Sequence, residues 1–219
     1  MKKAFIILLF GTLFSTHVGA QSFNLARLQD SSVNIFSLNL GLDHAFQAAI
    51  GIHHKFATPQ NLIVGAEIAL PSGDTPFDDW KLKLGGQYRI WEKGQFQLST
   101  KAHFLLRKRR SNVDRNLGLG SDVGLIFGWY RPKYFIGTEL SYDRNWVSNI
   151  RHGDEYLANV PSAVNGWYKS RADHLNLGLQ GGWSWDSFDL NLRFGRTIRT
   201  MGRANIIPFY FLLAGNFRF

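Results

Sequence analysis

Residues 46–70 read FQAAIGIHHKFATPQNLIVGAEIAL, and the period of this stretch decides the fold. In its first half Phe46, Ala48, Ile50, Ile52 and Phe56 alternate with Gln47, Ala49, Gly51, His53 and Lys55. In its second half Leu62, Val64, Ala66, Ile68 and Leu70 alternate with Ile63, Gly65, Glu67 and Ala69. Apolar residues at every second position share one face of an extended chain, whereas a helix needs spacings of three and four. Thr58-Pro59-Gln60 breaks the pattern with a turn-forming proline, so the stretch reads as two strands and a tight link.

The same period runs from Val33 to the last residue. It gives ten segments, including Trp80–Ile90, Phe96–Leu106, Leu117–Trp129, Tyr134–Tyr142, Leu175–Trp183, Phe188–Phe194 and Phe209–Phe219. Links of about three residues at Thr58, Glu92-Lys93-Gly94, Arg131-Pro132-Lys133 and Trp185-Asp186-Ser187 alternate with longer ones: 71–79, 107–116, 145–172 and 197–206. The link near Asp43-His44 is a short exception. An even strand count with one short-turn end puts both chain ends on that side.

The first twenty residues have the layout of a secretory signal: Lys2 and Lys3, an apolar run from Ala4 to Phe14, and Val18-Gly19-Ala20 before Gln21. The expected organisation is a cleaved signal at 1–20, a short N-terminal periplasmic segment at 21–32 that forms a tail or a short plug, and a transmembrane barrel at 33–219. The signal removes two lysines, so the mature chain carries 23 basic and 16 acidic residues, a balance of +7. Export excludes nucleic acid as the anionic partner and leaves lipid phosphate. With no cysteine in the chain, disulfide staples and thiolate metal sites are excluded.

A soluble sandwich would also alternate, but its apolar face would turn inward. Here the aromatic residues on that face gather beside the links: Phe56, Phe96, Trp129, Tyr134, Trp183, Phe188 and Phe219 near the short ones, Trp80, Phe104, Tyr142 and Trp146 near the long ones. Two aromatic girdles around an aliphatic band fit a transmembrane antiparallel up-and-down β-barrel of about ten strands. The final segment, with apolar residues at alternate positions from Phe209 to Phe219 apart from Gly215, resembles the terminal strand of bacterial outer-membrane β-barrel proteins. That resemblance implies recognition of Phe217 and Phe219 by the barrel-assembly machinery and a place in the outer membrane of a Gram-negative bacterium.

Charges on the other strand face then have to point inward, because a lysine or arginine facing lipid at mid-depth costs about 2–4 kcal/mol. Counting from the short turns puts His53, Glu67, Lys83, Lys101, His103, Asp122, Glu139 and Arg193 in one mixed-sign belt, with His53 opposite about position 66 and Glu67 opposite Lys83. Such a belt either fills a narrow barrel as its polar core or constricts a channel. On the long-link side Arg107, Lys108, Arg109, Arg110, Arg115, Arg199 and Arg203 form a basic rim expected to face lipopolysaccharide.

Enzyme readings find little footing. The omptin proteases, ten-stranded outer-membrane proteins, carry acid pairs and an aspartate with a histidine at the barrel mouth. Asp78-Asp79 and Asp173-His174 are adjacent pairs here, and neighbours in a strand face opposite ways. Ser148, His152 and Asp154 are close in sequence, which does not make a hydrolase triad. His53-His54 are neighbours too, so they do not share a metal. The sequence reads as a barrel without catalytic residues, cofactor or metal. It is expected to be a small porin with a mixed-charge lumen, or alternatively a closed surface platform or complex subunit contacting a protein partner through 145–172.

Overall fold

The computed structural model describes residues 23–28, 32–42, 46–71, 78–169, 173–201 and 207–219. The signal at 1–20, the hairpin tip at Asp43-His44, and Arg203 lie outside the described residues. The strands are β1 (Val33–Leu42), β2 (Phe46–Lys55), β3 (Ile63–Pro71), β4 (Trp80–Lys93), β5 (Phe96–Arg110), β6 (Asp114–Tyr130), β7 (Tyr134–His152), β8 (Gly166–Lys169), β9 (Asp173–Ser184), β10 (Phe188–Met201) and β11 (Phe209–Arg218). One short helix, α1 (Asp154–Asn159), precedes β8.

Ten of these strands close a barrel. Each pairs antiparallel with its neighbour in the chain, β7 with β9, and β1 closes on β11 from Ile35↔Arg218 to Leu42↔Phe211. At the closing seam the Phe219 and Asn34 backbones exchange two hydrogen bonds of 3.0 Å. β8 stands outside the ring and pairs only with the far end of β7.

The burial pattern is that of a soluble protein turned inside out. Lys55, Lys101, Gln97, Asn39 and Asn216 are buried, while Ile50, Ile52, Leu84, Leu125, Leu140, Leu179 and Leu213 are exposed on the outside. Rings flank this aliphatic band. Tyr134 lies 5.4 Å from Trp129 and 5.6 Å from Trp183 at the short-turn end, and Phe104 lies 6.0 Å from Trp146 at the other. The eight steps from Phe96 to Phe104 climb roughly 20 Å in a strand tilted by about 40°, comparable to the apolar band about 25 Å tall of a membrane barrel.

Two expectations need correction. The link at 107–116 is largely strand, with β5 and β6 joined by Ser111–Val113 alone, and the link at 145–172 is partly strand, β7 continuing to His152 and β8 following α1. Polar residues do not end a ladder while a partner strand runs alongside, so β5, β6, β7 and β8 rise past the membrane band as a flange. A bulge at Trp146 shifts the register there. His53 pairs with Gly65 rather than with position 66, because the seven-residue link from Phe56 to Leu62 is closed by Phe56 N donating to Leu62 O and by Asn61 at φ 50°. That single position puts His53 opposite Gly65, which shares its inner face, instead of the outward Ala66. The expected Glu67↔Lys83 pairing is present.

The N-terminal segment enters the barrel at the short-turn end. Phe23, Leu25 and Leu28 are buried against Ile35, Ile63, Tyr130 and Phe135, the last two stacked at 5.3 Å. Asn24 Nδ2 donates to Arg131 O at 2.9 Å and to Ser184 Oγ at 2.8 Å, and Asn61 Nδ2 donates to Leu25 O at 3.3 Å. Three different turns thus hold one short segment. Because Leu25 is fully buried, Leu25→Ala is expected to lower stability by about 2–4 kcal/mol, read from the urea midpoint of the folded band in detergent. A change below about 0.5 kcal/mol, the usual size for an exposed site, would mean that the segment does not occupy the lumen.

Candidate functional site

Strand alternation carries every member of the proposed belt to the lumen. Lys83 on β4 lies 3.0 Å from Glu67 on β3, whose other oxygen accepts from Asn39 Nδ2 at 2.7 Å. A second group joins β5, β6, β7 and β10. Lys101 Nζ lies 2.5 Å from Glu139 Oε1 and 3.4 Å from Asp122 Oδ2, and Arg193 closes on Glu139 with Nε donating at 2.9 Å and Nη2 alongside. Glu139 is therefore shared by two cations, with all three side chains almost fully buried.

The two histidines edge this arrangement. His53 Nε2 is 3.3 Å from Ser37 Oγ, and its ring meets Phe23 edge-on at 5.2 Å. A Cβ at Gly65 would fall 2.3 Å from His53 Nδ1, so the glycine makes room for the ring. His103 lies opposite Asp122 in the β5–β6 ladder. Between the inserted segment and the belt, Phe23, His53, Glu67, Lys83 and His103 surround a void with room for about one water molecule.

Sequence reading missed a second tier. Asp143 on β7 is held by Arg107 Nη2 at 2.5 Å and Lys81 Nζ at 3.5 Å. It lies four residues beyond Glu139 on the same face, so parity alone could have found it. Arg107, assigned to the basic rim, turns into the lumen to reach it. Lys108, Arg110 and Arg115 share the outward face, Arg109 and Arg199 take the inward one, and Arg203 lies outside the described residues. Phe217 is exposed on the barrel wall, 4.8 Å from Phe188, and Phe219 ends the seam. Asp143, opposite His174 in the β7–β9 ladder, is thus bound by two cations. No group of three potential metal ligands gathers among the described residues.

No protein-family model matches the chain, and no curated protein does. Among solved structures it is similar to the KdgM porin in complex with disordered oligogalacturonate, at 10% identity and a TM-score of 0.45 over 84% of this chain and 99% of that one. It is also similar to the outer-membrane protease OmpT from Escherichia coli, at 10% identity and a TM-score of 0.47 over 91% of this chain and 99% of that one. At such identity the likeness concerns the barrel fold alone.

Neutralising Glu139 leaves Lys101 and Arg193 buried beside each other without their shared carboxylate. Glu139→Gln is expected to cost about 3–5 kcal/mol, and adding Lys101→Met and Arg193→Met to recover most of the loss. Denaturant titration of the folded band checks both. Equal stability of Glu139→Gln and wild type would show that water screens the belt.

Proposed function

We propose that this chain is a closed outer-membrane barrel that serves as an anchor for the flange, with both termini periplasmic and the flange on the cell surface. The observation that carries this reading is the filled interior. From the short-turn end upward the lumen holds an apolar insert bonded to three turns, a belt in which Glu67, Asp122 and Glu139 meet Lys83, Lys101 and Arg193, and the Asp143 tier. A solute path needs space, and in the belt three carboxylates meet three cations across the lumen. The porin reading has less support for that reason.

The flange has the composition of a contact surface. Trp146, Val164, Trp167 and Tyr168 are exposed along β7, β8 and the link before it, and exposed aromatic clusters are typical of binding surfaces. The proposal extends to assembly through the Phe217 and Phe219 strand, to a role without a catalytic step, and to a protein partner meeting residues 145–172.

Planar-bilayer recording tests the anchor reading. Wild-type protein is expected to show no steps above baseline, and so is a variant lacking residues 21–32, because the belt still closes the lumen. Removing that segment together with Lys101→Ser, Glu139→Ser and Arg193→Ser is expected to produce discrete conductance. Steady conductance from folded wild-type protein would restore the porin reading.

A further inference from the structure

The flange carries one arrangement that the barrel does not explain. Arg110 lies opposite Arg115 in the β5–β6 ladder, and Arg115 lies opposite Arg151 in the β6–β7 ladder. All three are exposed, and strand parity from Lys108, Leu117 and Asn149 places them on the outer face. Like charges directly opposite one another destabilise a sheet, so three arginines in line are a standing cost for this chain alone.

Little nearby offsets that cost. Arg110 Nη1 lies 3.3 Å from Asp78. Among the described residues Arg115 and Arg151 form no ion pair, and Lys108 and Lys169 extend the positive field on the two rows below. Height narrows the ligand. Fourteen steps separate Phe96 in the lower girdle from Arg110, which a tilted strand converts to about 35 Å, roughly 10 Å past the top of a 25 Å apolar band. The row just beneath holds Trp80 and Trp167, rings that settle at a lipid headgroup boundary.

We propose that Arg110, Arg115 and Arg151 form a phosphate-binding row for lipopolysaccharide, gripping phosphates of its sugar region while Trp80 and Trp167 rest on the lipid below. Guanidinium forks bind phosphate in a bidentate manner, and an anion along the row turns three repelling charges into three partners. The row narrows the broad basic side suggested by charge counting: Arg107 is committed to Asp143, and Arg151 is aligned with Arg115. The site would fix the flange against the membrane surface. It rests on the anchor reading only in requiring the flange to stand in the outer leaflet.

The test uses full-length protein refolded in detergent free of lipopolysaccharide. The probes are rough lipopolysaccharide with core phosphates, the same glycolipid stripped of phosphate, and inorganic phosphate. The double variant Arg115→Gln/Arg151→Gln is expected to bind the phosphorylated glycolipid about tenfold or more weakly. Wild type should bind the stripped form with a similar loss, and Lys93→Gln/Lys133→Gln at the opposite end should bind normally.

Thermal melting supplies a readout with the opposite sign. Without glycolipid the arginine double variant should melt no lower than wild type, since a repulsion has been removed. Added glycolipid should raise the melting temperature of wild type and leave that of the variant nearly unchanged. Equal binding by wild type and variant, or equal binding of stripped and phosphorylated glycolipid, overturns the proposal. Saturation by inorganic phosphate at comparable concentration also overturns it, because the site would then belong to a free anion. Bilayer conductance is read separately, so a conducting barrel would defeat the anchor reading without touching this one.

Discussion

In hydrocarbon no water is available to an unpaired peptide group, so the seam in which Ile35–Leu42 meet Phe211–Arg218 is what permits the other eight barrel strands to exist. Closure removes both edges of the sheet at once. It also divides every strand into a lipid side and a lumen side, and the sequence obeys that division: Ile50 and Ile52 point out while His53 and Lys55 turn in. From that division come the aliphatic band, the two girdles and an interior that collects every charge the outer surface refuses.

An interior so loaded has to balance itself. Glu139 accepts from Arg193 and Lys101, Lys101 also reaches Asp122, and Asn39 with Lys83 covers Glu67. These contacts join β1, β3, β4, β5, β6, β7 and β10, so side chains crossing the lumen tie together strands that the ladder holds only to their neighbours. Buried ion pairs gain little net energy over apolar packing of the same volume. Their geometry, unlike that of apolar contacts, tolerates few alternatives, which keeps a ring of similar strands in one register.

Period-two patterning made the strands and their inner faces legible, because a residue's side follows from its parity. It placed Glu67 opposite Lys83 without any structure, the link between those strands being simple to count across. It failed by one position at His53, where Asn61 takes a left-handed conformation inside the link. Strand ends were harder still: nothing in Arg107–Arg110 says whether a polar stretch is loop or ladder until its partner is known. The sequence leaves open whether residues 21–32 form a tail or a plug, since Phe23, Leu25 and Leu28 lie in too short a run to show a period. Asp143 was recoverable by extending the face of Glu139, whereas the alignment of Arg151 with Arg115 depends on the bulge at Trp146, which the sequence does not announce.

The insert bears on mechanics as well as on closure. A thin-walled tube under lateral load flattens into an oval, and in a bilayer the load comes from the surrounding lipid chains. Asn24 and Asn61 connect an apolar hub to turns spread around the circumference, much as spokes hold a rim round. Higher up the described contacts are more local: Asp143 braces β4, β5 and β7, and Tyr210 and Leu212 pack with Ala49 and Ala69 on β2, β3 and β11. Compression of the barrel should therefore be taken up at the end away from the short turns, leaving the base circular.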